Sequence, residues 1–277
     1  MTDEEFRLLR DFIYEQCGIH MPDSMKFLLE RRLRPRLEVY NSVTFRDYYR
    51  VLKYSREAQR EFDEVTERIT TNETYFFRGE SQLEAFSKEI VPELLQKRGV
   101  RPIRIWSAGC SSGEEPYTIA MLLRDIPGAH GVPFEIFGCD ISRKVLRTAR
   151  EGAYREASFR QTDKRHVDRW FARGTDLHTL RLKDEVRATV TFGHLNLMDE
   201  SAMAIIREVD VVFCRNVMIY FAPESRKRLL DMLHRKLRPG GYLILGHSES
   251  LVNLSTQFEL VPLVHDIVYR KPLEVPR

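Results

Sequence analysis

Between residues 103 and 246 the chain alternates short β-rich apolar runs with segments of helical spacing, and this alternation constrains the fold more than any other feature. The runs cover 103–108, 134–139, 209–214 and 242–246. Between them lie helical patterns at 115–124, 142–150 and 224–237, the last ended by Arg238-Pro239-Gly240-Gly241, which cannot continue a helix. Strand and helix in alternation predict an α/β fold built on a doubly wound parallel sheet. The stretch 154–192 breaks the rhythm with short polar/apolar alternations at 177–182 and 186–192, which predict a small antiparallel β subdomain inserted at about 155–190. The tail carries two further runs, 258–261 and 266–270, with no helix between them, and reads as a hairpin that adds an antiparallel strand to the sheet.

The first seventy residues have helical spacing and almost no strand signal. Phe6, Leu9, Ile13 and Cys17 step by three or four until Gly18 stops the run. After Pro22, Asp23 or Ser24 is placed to cap a second helix through Phe27, Leu28, Leu33 and Leu37, which Pro35 should bend or displace. Two more helices are expected at 45–52 and 62–69, and another at 83–97. The 277 residues therefore divide into an all-α unit at 1–70, a linker with its helix at 71–98, and the α/β domain at 99–277.

The 44 Lys and Arg against 41 Asp and Glu leave a formal charge of +3, too near balance to imply a nucleic-acid partner. Cys17, Cys110, Cys139 and Cys214 are scattered without a Cys-x-x-Cys pair, as in a reduced cytoplasmic protein. The opening MTDEEFRLLRDF is not a secretory leader, and no apolar run is long enough to span a bilayer, so no membrane insertion is expected. The eight histidines show no metal-ligand spacing; His194 and His247 read as structural, Cys214 as packing, and no metal is predicted.

Chemistry is expected where the first strand turns into its helix, because an open α/β sheet presents its ligand crevice there. The turn reads Trp106-Ser107-Ala108-Gly109-Cys110-Ser111-Ser112-Gly113-Glu114-Glu115-Pro116-Tyr117. Its glycine spacing is neither the dinucleotide nor the P-loop pattern, and two acids there disfavour phosphate. A carboxylate suits a cationic ligand such as the amino group or sulfonium of S-adenosylmethionine, although acids at a helix start are also favoured by the macrodipole. Asp140, ending the second run, is placed either to accept ribose hydroxyls or to cap the next helix. The closing hairpin, common in doubly wound methyltransferases and unusual in dehydrogenases, favours S-adenosylmethionine over NAD.

Four blocks then occur in order: Thr71-Asn72-Glu73-Thr74-Tyr75-Phe76-Phe77-Arg78, WSAGCSSGEEPYTIAM, Asn196-Leu197, and Phe213-Cys214-Arg215-Asn216-Val217-Met218-Ile219-Tyr220-Phe221. Together they resemble the CheR family of chemotaxis receptor glutamate O-methyltransferases, over nearly the whole chain. The resemblance implies methyl transfer from S-adenosylmethionine to receptor glutamates, with S-adenosylhomocysteine as product. It implies cofactor binding by Asn72, Thr74, Arg78, Ala108, Gly109, Glu114, Asp140, Asn196, Leu197, Arg215 and Asn216, and catalytic placement of Arg78 and Tyr220. Without it, Asn72 and Thr74 read as capping residues and Tyr220 as a core aromatic.

Residues 24–56 hold nine Lys and Arg against three Asp and Glu. Arg31, Arg32, Arg34 and Arg36 are the expected docking residues for the acidic cytoplasmic helices of methyl-accepting receptors, a solvated face being the alternative. Residues 173–181 look shorter than the corresponding loop of family members that bind a C-terminal receptor tether, so no tether dependence is expected. A monomer is expected. Two rival readings are a non-catalytic S-adenosylmethionine- or nucleotide-binding signalling module, and a methyltransferase acting on RNA or DNA. The Cys-Arg-Asn-Val-Met-Ile-Tyr block disfavours the second, because base-modifying relatives carry Asn/Asp-Pro-Pro-aromatic there.

Overall fold

The computed structural model describes residues 1–97, 99–174 and 176–273. Arg98 and residues 274–277, at the ends of two expected segments, and Thr175, within the expected loop segment 173–181, lie outside the described residues.

Four helices form the N-terminal unit: α1 (Asp3–Cys17), α2 (Lys26–Val39), α3 (Phe45–Tyr54) and α4 (Ala58–Ile69). Thr2 and Glu5 cap the start of α1 reciprocally, and Gly18 ends it in the left-handed conformation at φ 72°. Thr44 and Asp47 cap α3 in the same way. The buried faces of the four helices meet in one core that includes Leu9, Ile13, Leu33, Tyr48 and Val65. Two expectations for α2 fail. Neither Asp23 nor Ser24 caps it with a side chain, because 23–25 form a 3-10 turn that runs into the helix. Its inward face is Leu29, Leu33 and Leu37, which leaves Phe27 74% exposed. Pro35 sits inside α2 on its exposed side without ending it.

The core of α2 also redefines the basic patch. Arg36 is turned inward, where its Nε donates to Glu61 Oε1 at 2.8 Å and its Nη2 pairs with the second oxygen; Tyr48 donates to the same carboxylate. Glu61 is 1% exposed. Burial raises its pKa, and the hydrogen bonds from Arg36 and Tyr48 more than offset this, so the carboxyl ends below its usual value. Arg32 donates to the Ile69 carbonyl at 2.7 Å, at the last turn of α4. Arg32 and Arg36 thus tie α2 to α4, while Arg31 and Arg34 stay on the exposed face, the latter beside Glu30.

A linker leads to α5 (Glu80–Ala85), a π-helical segment (Phe86–Ile90) and α6 (Val91–Lys97), one continuous rod where 83–97 was expected. The α/β domain follows as β1 (Ile103–Ala108), α7 (Glu114–Asp125), β2 (Phe134–Asp140), α8 (Arg143–Glu151), β3 (Ala153–Arg155), α9 (Lys164–Trp170), β4 (Phe171–Arg173), β5 (Thr179–Leu182), α10 (Asp184–Arg187), β6 (Val190–His194), β7 (Val209–Cys214), α11 (Pro223–Lys236), β8 (Leu237–Leu245), β9 (Glu259–Pro262) and β10 (Ile267–Arg270).

Seven strands form one sheet in the order β6-β2-β1-β7-β8-β10-β9. The first five are parallel, and β10 runs antiparallel to both β8 and β9, so the closing hairpin stands as expected. The small sheet, β3-β5-β4, is antiparallel. It ends earlier than expected: the apolar run at 186–192 splits into α10 and β6, and β6 pairs parallel with β2 at the edge of the large sheet. Likewise β8 begins at Leu237 and runs through Pro239-Gly240-Gly241, with a register shift between Val209 and Val211 absorbing the irregular stretch. Strand β7 is buried throughout, as a central parallel strand covered on both faces must be. No helix among the described residues is long and apolar enough to cross a membrane.

Arg36→Ala should cost about 3–5 kcal/mol in urea unfolding at pH 7, because it leaves the Glu61 carboxylate buried and unpaired. Arg31→Ala should stay within about 0.5 kcal/mol. The Glu61 carboxyl has a lowered folded pKa, so the pair's contribution is present above the ordinary glutamate value of 4.5 and is lost as pH falls through the folded value. The stability gap between the parent and Arg36→Ala should therefore narrow as the pH is taken below about 4.5.

Candidate active site

The strand order places β2 on one side of β1 and β7 on the other, so successive connections leave β1 in opposite directions. A crevice opens beyond the carboxyl ends of the strands at such a point. Here it is a cleft of about 290 Å³ whose walls come from the turn after β1, the end of β2, the segment after β6, the segment after β7, the linker, and the end of α1.

Two left-handed residues steer the chain off β1: Gly109 at φ 80° and Ser111 at φ 49°. Ser111 is held there from two sides. Its amide donates to Asp140 Oδ2 at 2.8 Å, and its hydroxyl donates to the Asn72 carbonyl at 3.1 Å, tying the linker to the turn. The other Asp140 oxygen accepts the Ser142 amide at 2.9 Å. Ser142, not Asp140, caps α8, through the Val145 amide. Asp140 is thereby left at the cleft wall, 8% exposed; burial raises its pKa, and the backbone donors of Ser142 and Ser111 counter only part of the rise.

The two acids at the start of α7 part company. Glu115 lines the cleft, accepting from Ser107 Oγ at 2.7 Å and from Arg215 Nη1 at 3.2 Å. Glu114 is 1% exposed and turned away, accepting from Ser112 Oγ at 2.8 Å and Ser158 Oγ at 2.9 Å beneath the β subdomain. The sequence reading expects Glu114 in the site; it is Glu115 that lines the cleft, while Ser112 and Ser158 engage Glu114. Ala108 is also outside the lining, fully buried within β1 beside Cys139.

Arg215, 8% exposed, joins three parts of the cleft. Besides Glu115 it bonds the Arg78 carbonyl through Nη2, while its Nε has no hydrogen-bond partner among the described residues. Burial lowers the Arg215 pKa and raises that of Glu115, each restrained by the charge of the other. The guanidinium can occupy this place because residue 79 is glycine: a Cβ there would stand 2.1 Å from Arg215 Nη2, and its φ is 76°.

The remaining expected residues converge on the same cleft: Asn72, Thr74, Arg78, Gly109, Asn196, Leu197, Asn216 and Tyr220. Asn196 Nδ2 donates to the Gln16 carbonyl at 2.7 Å. Arg78 Nη1 donates to the Glu73 carbonyl at 2.9 Å, and the Tyr220 hydroxyl lies 3.5 Å from the Thr71 carbonyl, a weak hold that leaves it available. Cys17 and Ile19 line the cleft too, and a bridge between Ile19 and Phe221, with His20 N bonded to the Tyr220 carbonyl at 2.8 Å, fixes the helical unit against it.

Sequence reasoning missed one carboxylate entirely. Glu249 accepts the amides of Asn216 at 2.7 Å, Gly246 at 2.9 Å, Val217 at 3.0 Å and Ile219 at 3.3 Å, which hold the chain after β7 with Asn216 at φ 58°. Its only signal was an acid soon after a strand-ending glycine.

The donor set suits S-adenosylmethionine: the Glu115 carboxylate for its cationic amino-acid part, Asp140 and side-chain amides for its polar adenosine face, and an Arg215 Nε without a partner among the described residues. Comparison with known proteins agrees. Residues 72–267 match the CheR methyltransferase, SAM binding domain, and residues 4–70 match the CheR methyltransferase, all-alpha domain. This chain belongs to the CheR methyltransferase family. It is 35% identical to chemotaxis protein methyltransferase 2 of Vibrio cholerae over 273 residues, covering 98% of this chain and 94% of that one. It is 37% identical to the chemotaxis protein methyltransferase of Borreliella burgdorferi over 91% of this chain and 89% of that one, and 34% identical to that of Escherichia coli over 94% and 89%. The chain is an S-adenosylmethionine-dependent methyltransferase, and its all-α N-terminal unit, parallel sheet and closing hairpin are of the class expected from the sequence, with β6 added to the sheet.

Gly79→Ala should weaken S-adenosylhomocysteine binding in calorimetry by at least tenfold, since the new methyl group displaces Arg215. Gly99→Ala makes the control. Its φ is also positive, at 63°, but nothing lies within 4 Å, so it should cost only about 1–2 kcal/mol of backbone strain and leave affinity unchanged.

Proposed function

We propose that the chain methylates glutamate side chains of chemotaxis-type receptors, giving methyl esters, and that the cleft residues divide the work as follows. The observation that carries this reading is the meeting of two acids, Glu115 and Asp140, with two arginines, Arg78 and Arg215, and the loosely held Tyr220 in one cleft. S-adenosylmethionine, when bound, supplies a methyl group on a positively charged sulfur. Asp140, Asn196 and Leu197 hold its adenosine part; Glu115, Asn72, Thr74 and Asn216 hold its amino-acid part with Arg215 braced against Glu115.

A receptor glutamate has an ordinary pKa of roughly 4.3 and is already ionised at pH 7, so the chain needs no general base. Its contribution is placement. Arg78, half-buried at the cleft, can hold the acceptor carboxylate by two parallel hydrogen bonds, and the Tyr220 hydroxyl can bond at the transfer centre. Closing the cleft around two opposite charges that are about to cancel excludes water from them.

Substrate capture falls to α2. Arg31 and Arg34 remain exposed for an acidic receptor helix, whereas Arg32 and Arg36 are engaged within the helical unit. The β subdomain is not used for a tether in this reading, because β4 ends at Arg173 and β5 begins already at Thr179. Four buried free cysteines suit work in the reducing cytoplasm.

Incubation with methyl-labelled donor and receptor-containing membranes should yield base-labile label on receptor protein; absence of ester with folded, donor-binding protein would sink the proposal. Arg78→Ala should lower kcat by at least 100-fold, about 2.7 kcal/mol of barrier. Arg31→Glu combined with Arg34→Glu should raise receptor KM by about tenfold at low salt, with the difference shrinking as salt is added, and leave S-adenosylhomocysteine affinity unchanged.

A further inference from the structure

A second groove, of about 710 Å³, lies between α8 and the small sheet and shares no lining residue with the cleft. Its walls carry Arg143, Arg147 and Arg150 from α8, Arg181 from β5, Arg187 from α10 and His194 from β6. The three α8 arginines recur at i, i+4 and i+7 and so share one helix face. One acid, Glu151, lines the groove with them. Arg143 Nε reaches out to Asp63 at 2.7 Å and Arg187 pairs with Asp184 at 2.8 Å. Arg150 donates to a carbonyl, that of Phe192, at 3.0 Å, and among the described residues neither Arg147 nor Arg181 has an acidic partner. Five guanidiniums thus converge on a groove with three carboxylates in or beside it.

The concentration of arginine has a cost in mutual repulsion that the methyl-transfer cleft does not explain. The cations are all arginine and none is lysine, and the planar guanidinium fork matches the oxygens of phosphate in bidentate fashion. They come from three elements, α8, β5 and α10, and five guanidiniums suit more than one phosphate. Leu146 and Ala153 are the apolar residues of the groove's lining, and arginine planes also stack on flat rings. The volume falls within the range of pockets for small molecules. A near-neutral chain with one confined basic groove is a poor match to a long nucleic acid, which needs an extended track of charge.

We propose that this groove is a binding site for a nucleotide carrying two or more phosphates, separate from the methyl-donor site. The guanidiniums of Arg147 and Arg181 are its principal phosphate contacts, because no carboxylate among the described residues holds them.

The test is calorimetry on the full chain saturated with S-adenosylhomocysteine, so that the cleft is closed to competitors, titrated with GTP, ATP and pyrophosphate. GTP or ATP should bind one to one and at least fivefold tighter than pyrophosphate, and binding should weaken steeply with salt. Arg147→Glu combined with Arg181→Glu should weaken nucleotide binding at least twentyfold and leave S-adenosylhomocysteine affinity within twofold. Should that variant fold poorly, Arg147→Gln with Arg181→Gln carries the same comparison, with a loss of at least fivefold. No binding of either nucleotide at millimolar concentration overturns the proposal, as does undiminished binding to the double variant. Pyrophosphate binding as tightly as GTP overturns the nucleotide class, and displacement of GTP by a glutamate-rich receptor peptide reassigns the groove to a protein partner.

Discussion

The ion pair between Glu115 and Arg215 is the joint on which the cleft depends. It spans from the helix that follows β1 to the segment that follows β7, and Arg215 extends the connection to the linker through the Arg78 carbonyl. Three stretches far apart in the chain thereby share one polar contact in a poorly hydrated place. Taking both charges out of water is expensive, and the energy returned by their attraction depends on close geometry. That geometry needs Ser107 on one oxygen of Glu115 and a glycine at 79 to admit the guanidinium. The pair is therefore less a source of stability than a device for placing the surrounding groups, and it retains an unpartnered Nε for a ligand to satisfy.

Around this joint, unusual backbone is concentrated at strand ends. Gly109, Ser111 and Asn216 all have positive φ, and the two that carry side chains are held by carboxylates elsewhere: Ser111 by Asp140, and the chain at Asn216 by Glu249. A carboxylate that accepts several amides offsets part of its own desolvation cost while it fixes a strained turn. The same arrangement appears twice, on either side of the strand-order switch at β1, and the cleft is the space left between the two turns.

The helical unit is part of the site and also of its substrate surface. Gln16, Cys17 and Ile19 reach the cleft, so the end of α1 forms a wall opposite the sheet. A buried pair between Arg36 and Glu61, with Tyr48, keeps α2, α3 and α4 in register behind it. The helix most suited to meet an acidic partner is thus held rigidly with respect to the methyl-transfer centre, which is what a reaction governed by placement requires.

Much of this was legible in order and type. The β-run and helix alternation, the closing hairpin and the clustering of blocks at strand ends follow from apolar periodicity and from where glycine and proline interrupt it, because those signals are local. Strand β1 was expected with its observed ends, and so was β7. The strand at 190–194 was misassigned to the insert, since a short apolar run has the same pattern in an edge strand of either sheet and only pairing with β2 decides between them.

What the amino-acid order determined by itself was the set of elements and the chemistry of the groups near each strand end. What only the tertiary structure decided was which of several adjacent like residues faces which neighbour. Glu114 and Glu115 are one step apart at a helix start, about 100° around the axis, and the arrival of Ser158 from the small sheet and Arg215 from beyond β7 separates them. Among the arginines of α2, Glu61 and the Ile69 carbonyl claim two and leave two to solvent. Charge and periodicity record that such residues are present; desolvation, which depends on what packs against each one, sorts buried partners from exposed ones.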